Sequence, residues 1–177
     1  MKKIILLLLT ICSASQSFAQ EITGTQLLDK AIQFHDPNDN WKTFTGSLLV
    51  TMETPNKPKR TSEIRIDLPN QSFYVKASQG DKTTVYSVTK DVCNIQLNGK
   101  TPTEEEKTSN NLSCDRASMY QNYYTYLYGL PMKLKDAGTI IDENVILKEF
   151  NGKNYLVLKV TYEKEVGKDT WYFYFDP

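Results

Sequence analysis

Chemistry in this chain has few places to start. Its single histidine, His35, opens a run in which Asp36, Asn38 and Asn40 alternate like the start of a calcium loop. The glycine and the closing glutamate of such a loop are missing, with Trp41 and Ser47 in their places. His35 has no second histidine to share a metal with, so the run reads as a turn after a helix. There is no G-x-S-x-G elbow, no Gly-rich phosphate loop, no Cys-x-x-Cys and no His-Glu-x-x-His. A nucleophile-histidine centre would have to use His35, which the spacing places on a helix face beside apolar residues. The expectation is a protein that is not an enzyme and holds no metal or cofactor.

Two cysteines and a tyrosine cluster remain. The first twenty residues read as an export signal. Lys2 and Lys3 precede an apolar run from Ile4 to Ile11, and Ser17-Phe18-Ala19 invites cleavage after Ala19. Cys12 would suit a lipoprotein signal, but Ile11 stands where a small residue belongs. The expected mature protein, residues 20–177, is a single periplasmic domain. It carries 19 basic and 21 acidic residues, a net −2, and no basic patch for nucleic acid. No second apolar run is long enough for a transmembrane helix, and a monomer is expected. Cys93 and Cys114 are left in an oxidising compartment, where two thiols usually form one disulfide. The alternative is two buried free thiols. Five of the 11 tyrosines fall between Ser113 and Asp136: Tyr120, Tyr123, Tyr124, Tyr126 and Tyr128.

The elements that must position these residues follow from periodicity. Thr23 and Gln26 have capping-box spacing, with Ile22 and Leu27 as a hydrophobic staple, for a helix over 22–35. Five short strands follow over 43–52, 61–68, 72–78, 82–89 and 92–97. Phe44, Leu48, Val50 and Met52 share one face of the first, Ile64, Ile66 and Leu68 one face of the second. Phe73, Val75 and Ala77 point the same way in the third, and Cys93, Ile95 and Leu97 in the fifth. Such one-sided strands form a sheet that is wet on its other face. Thr103 and Glu106 repeat the capping box before a short helix with Glu104, Glu105 and Glu106 in its first turn. Ser113 caps the tyrosine helix, and Gly129 with Pro131 ends it. Strands return over 145–150, 154–162 and 169–175, and Asn151-Gly152 marks a hairpin. The last strand carries aromatic residues on both faces, which suits the inside of a sheet. Asp176-Pro177 reads as the opening of a turn, so the chain is expected to be C-terminally truncated.

The fold class expected is α+β: a curved antiparallel sheet, or incomplete β-barrel, with an N-terminal helix and a central helix pair covering its concave face. Four segments carry a resemblance: KAIQFHDPNDNW (Lys30 to Trp41), LVTMETPN (Leu49 to Asn56), YYTYLYGLPMKLKD (Tyr123 to Asp136) and DTWYFYFDP (Asp169 to Pro177). They resemble a secreted family with the LolA/LolB-like fold of periplasmic lipoprotein carriers. The resemblance implies a barrel whose mouth is plugged by helices over a hydrophobic cavity, which in the carriers receives acyl chains. It transfers no catalytic residue. Arg116, on the central helix, matches no motif of the carriers' arginine latch.

The expected ligand is a lipid or the acyl chain of a lipoprotein. The residues expected to line the cavity are Phe44, Leu48, Val50, Met52, Ile64, Ile66, Phe73, Tyr120, Tyr124, Leu127, Tyr128 and Leu158. The rival reading is a structural or protein-partner-binding envelope protein without a small ligand. Periodicity does not distinguish a filled core from a cavity.

Overall fold

Residues 22–177 are described by the computed structural model, and the expected export signal lies outside the described residues. The first helix, α1 (Gly24–His35), begins with the capping box its sequence encodes. Gln26 donates its backbone N–H to the Thr23 hydroxyl, and the Gln26 side chain accepts from the Thr23 N–H. A second device was not legible locally. Glu143, more than a hundred residues on, accepts from the Thr25 N–H at 3.1 Å and from the Thr25 hydroxyl. Its backbone carbonyl takes the Gly24 N–H at 3.0 Å.

Asp36 ends this helix. Both its carboxylate oxygens accept backbone N–H groups, from Asn40 at 2.7 Å and Trp41 at 2.8 Å, starting the 3-10 turn Asn40–Thr43. His35 departs from expectation. It is exposed at the end of α1, edge-on to the exposed Phe34, rather than set among apolar neighbours.

The meander follows as β1 (Thr45–Met52), β2 (Arg60–Asp67), β3 (Ser72–Gln79), β4 (Lys82–Thr89) and β5 (Val92–Leu97). These pair antiparallel in sequence order as one curved five-stranded sheet that does not close into a barrel. Its apolar face buries Ile64, Ile66, Phe73, Val75, Tyr86 and Val88. Leu112 and two residues of the tyrosine helix, Ala117 and Tyr124, complete that core.

The helix pair behaves unequally. Helix α2 (Glu104–Asn110) has its capping box but buries no residue, because every side chain in it is polar or charged. Helix α3 (Cys114–Tyr128) is therefore the cover, capped by the Ser113 hydroxyl on the Arg116 N–H. The Cys93–Cys114 disulfide is formed, with Cα atoms 5.9 Å apart, and joins the first turn of α3 to β5. Gly129 stops the helix for a reason other than a left-handed backbone, since its φ is −91°. A Cβ there would stand 2.3 Å from Trp41 Cζ2 and 2.6 Å from the Thr125 carbonyl oxygen. No larger residue fits where the chain turns beneath Trp41.

The remaining strands make a second sheet, which corrects the expectation of one barrel covered on one face. It contains β6 (Thr139–Ile141), β7 (Ile146–Phe150), β8 (Lys153–Tyr162) and β9 (Trp171–Phe175). Strand β6, three residues long, was too short to register as a pattern. Asn151 and Gly152 both take positive φ, 51° and 76°, in the tight turn that pairs β7 with β8. The N-terminal helix covers this sheet and not the meander. Leu27 and Leu28 of α1 pack with Leu134, Leu158 and Val160 in a separate core. Ile22, the other half of the staple, packs against it. Among the described residues β9 pairs with β8 alone. Phe173 and Phe175 pack inward, while Trp171, Tyr172 and Tyr174 remain exposed.

Candidate functional site: an aromatic groove beside the covering helix

Helix α3 approaches the sheet through aromatic rings. Tyr120, Tyr124 and Tyr128 recur every four residues, and their rings stack with centroids 6.2 and 6.3 Å apart and planes 17° from parallel. Tyr124 also stacks on Phe73 of the sheet at 6.3 Å, and Tyr120 leans on Tyr86 at 5.6 Å. A phenol is long and must keep its hydroxyl solvated or hydrogen-bonded. The rings nearest β3 and β4 can bury. Those over the β1 side cannot bury completely, and a groove is left there.

The groove has a volume of about 490 Å³. Val50 and Met52 of β1 form one wall. Met119, Tyr123, Leu127 and Tyr128 of α3 form the other, with Tyr120 and Tyr124 between them. Burial pushes the Tyr128 phenol up from its ordinary value, and the neighbouring Tyr124 and Tyr123 push it the same way. Burial also raises Tyr86, against the pull of the Arg116 and Arg60 charges. Both phenols are therefore neutral near pH 7 and available as hydrogen-bond donors.

At its Tyr120 end the groove borders a second recess of about 500 Å³, which shares Met52, Arg60 and Tyr120 with it. This recess differs in charge. Lys57, Arg60, Lys82 and Arg116 line it against one acid, Asp81. The Arg60 and Arg116 guanidiniums lie over the same Tyr120 ring, at 5.2 and 5.6 Å from its centroid. Arg116 also donates to the Tyr120 hydroxyl at a long 3.4 Å.

The twelve expected lining residues separate into four groups. Val50, Met52, Tyr120, Tyr124, Leu127 and Tyr128 do line the groove. Phe44 and Leu48 are half-buried against the same core but stand outside that lining. Ile64, Ile66 and Phe73 are at most 1% exposed and fill the core instead of facing a cavity. Leu158 belongs to the other core, under α1. Alternation along a strand identifies the inward face, but not which sheet the strand joins.

Sequence reasoning missed Met119, Tyr123, Arg60 and the recess role of Arg116. A signal was present for the two arginines. Arg60 and Ser62 share the strand face of Ile64 and Ile66, so the apolar stripe turns polar towards one end. Arg116, Tyr120, Tyr123 and Leu127 repeat at helical spacing as one stripe.

Comparison with known families places the chain. A family of unknown function, DUF6503, matches it over residues 2–177. The chain belongs to DUF6503. No curated protein and no solved structure matches this DUF6503 chain. No helix among its described residues is long and apolar enough to cross a membrane.

Proposed function

We propose that this DUF6503 chain is a non-enzymatic periplasmic protein that binds a hydrophobic ligand, a lipid or the acyl chain of a lipoprotein, in the groove beside α3. The reading follows the resemblance to the LolA/LolB-like carriers. The observation that carries it is the groove itself: apolar and aromatic side chains of β1 and α3 line about 490 Å³ that the protein leaves unfilled. That volume lies within the roughly 300–1,000 Å³ typical of small-molecule sites. Met52 and Tyr128 are exposed there, so a chain laid along the groove would remove apolar surface from water. The lone histidine does not line the groove.

A fluorescent fatty-acid probe tests the reading on the full chain. The probe should brighten on binding and be displaced by unlabelled lipid. Leu127→Asp, which puts a charge into the groove wall, should abolish the signal. A protein that folds normally and leaves the probe dark would sink the reading.

A second reading has its own observation. One face of the second sheet exposes Ile146 and Phe150 on β7 and Tyr172 and Tyr174 on β9. Such a surface suits a structural or partner-binding envelope protein. Native mass spectrometry separates the two: an extractable lipid favours the groove, and one stoichiometric protein without lipid favours the sheet.

A further inference from the structure

We infer that the ligand of the groove is a single-chain amphiphile with an anionic oxyacid head, and that Arg60 and Arg116 receive that head. The inference rests on the acyl-binding reading and adds the headgroup chemistry. Three observations lead to it.

The first is adjacency. The apolar groove and the charged recess share Met52, Arg60 and Tyr120 in their linings, so a head received in the recess lies beside the end of the groove. The second is charge. Four cationic side chains line the recess against Asp81 alone, in a protein whose sequence has equal numbers of acidic and basic residues. Among the described residues, neither Arg60 nor Arg116 lies within ion-pair distance of a carboxylate. By contrast Lys59, beside Arg60 in sequence, pairs with Glu53 at 3.4 Å. The third is presentation. The two guanidiniums come from different elements, the start of β2 and the first turn of α3, and converge on one ring. Apart from the long Arg116 donation to the Tyr120 hydroxyl, neither guanidinium has a side-chain hydrogen bond among the described residues, and a planar guanidinium matches the paired oxygens of a carboxylate or phosphate. The Tyr86 phenol, neutral in this setting, lines the same recess and adds a donor.

Met52 links the two sites in the sheet register. It pairs directly with Arg60 across β1 and β2, so the last apolar rung of the groove is also the first charged rung of the recess. A head held at Arg60 would send its chain past Met52 towards Val50, Leu127 and Tyr128.

The test compares four probes on the full chain at low ionic strength: palmitate, a palmitoyl lysophosphatidic acid, monopalmitoylglycerol and inorganic phosphate. Both anionic amphiphiles should bind at least tenfold more tightly than the neutral glyceride, and inorganic phosphate weakly. Arg60→Gln with Arg116→Gln should bring the anionic amphiphiles down to the affinity that the same variant shows for the glyceride. Arg60→Lys with Arg116→Lys, which keeps both charges, should restore most of the preference and shows that the recess is intact. Equal binding of charged and neutral amphiphiles, or a preference that survives the glutamine pair, overturns the headgroup assignment while the acyl groove stands. Tight inorganic phosphate with no gain from a chain would make the recess a separate anion site and overturn the assignment too. If no amphiphile binds, the headgroup assignment and the acyl reading fall together.

Discussion

The two sheets solve the same problem differently. Each has one apolar face and one helix to cover it. Helix α1 meets β8 through Leu27 and Leu28, side chains without polar ends, and buries them almost completely. Helix α3 meets the meander through Ala117 and tyrosines, and buries only Ala117 and Tyr124. The difference is chemical before it is geometric. Aliphatic side chains can fill a seam to crystal-like density, whereas phenols carry a hydroxyl that resists dry burial. The seam under α1 is thus filled. The seam beside α3 is partly open, and that opening is the groove. The means of attachment differ as well. A disulfide holds the start of α3 to β5, while the start of α1 is held by hydrogen bonds to Glu143.

The largest effect that could break this contrast is a pair of truncations. Leu28 is fully buried, and Leu28→Ala should destabilise the protein by about 2–5 kcal/mol, as buried Leu→Ala changes do. Leu127 lines the groove and is only half-buried. Leu127→Ala should cost under about 1 kcal/mol, because little packed surface is lost. Urea denaturation of both variants measures the difference. Equal losses would mean that the α3 seam is packed as tightly as the α1 seam.

Next comes the covalent tether. The disulfide closes a loop of 21 residues, worth on the order of 3 kcal/mol in the chain-entropy account. Replacing Cys93 and Cys114 together by Ala should lower stability by about that amount under non-reducing conditions. The same change should weaken the fatty-acid probe more than the stability loss explains, since it frees the end of α3 that carries Arg116. A variant that loses stability and keeps full probe affinity would show that the sheet contacts alone position the helix.

What the sequence revealed and what it hid divide along the same line. Both capping boxes, the Asn151-Gly152 hairpin and the alternation of β1 to β5 are local, written within a few residues. The Cys93–Cys114 pairing was legible because only two cysteines remain after the expected cleavage. Long-range partition was not legible. No residue of α1 says that its leucines belong on β8 and not on the meander, since an apolar stripe fits either sheet. Leu158 was expected to line the cavity for that reason, and instead packs in the core under α1. The aromatic β9 was read as interior because aromatic residues on two faces usually mean two covered faces. In the described residues it pairs on one side only. Six groove residues were found because they lie on elements whose spacing showed their faces. The two arginines were passed over because charged residues at the end of a strand and in a helix's first turn are ordinary surface residues until a recess joins them.

The smallest effect sharpens the comparison of the two helix attachments. Helix α1 has no acidic residue in its own first turn and receives the Glu143 carboxylate from outside. The Thr25 hydroxyl, followed by the Thr25 N–H, holds that carboxyl below its ordinary value of 4.5. A folded-state value lower than the unfolded one stabilises the protein above the unfolded value, and this contribution is lost as pH falls through the folded one. Helix α3 is capped instead by the neutral Ser113 hydroxyl. Glu143→Gln should therefore lower the melting temperature slightly at pH 7, and its difference from wild type should shrink below pH 4.5 until the two coincide. Ser113→Ala should cost about 1 kcal/mol, by an amount that does not change over the same pH range. Thermal melts of the three proteins from pH 7 to pH 3 measure both. A Glu143→Gln deficit that stays constant with pH would assign the Glu143 contribution to shape and its backbone carbonyl. The two helix starts would then be held by the same neutral chemistry.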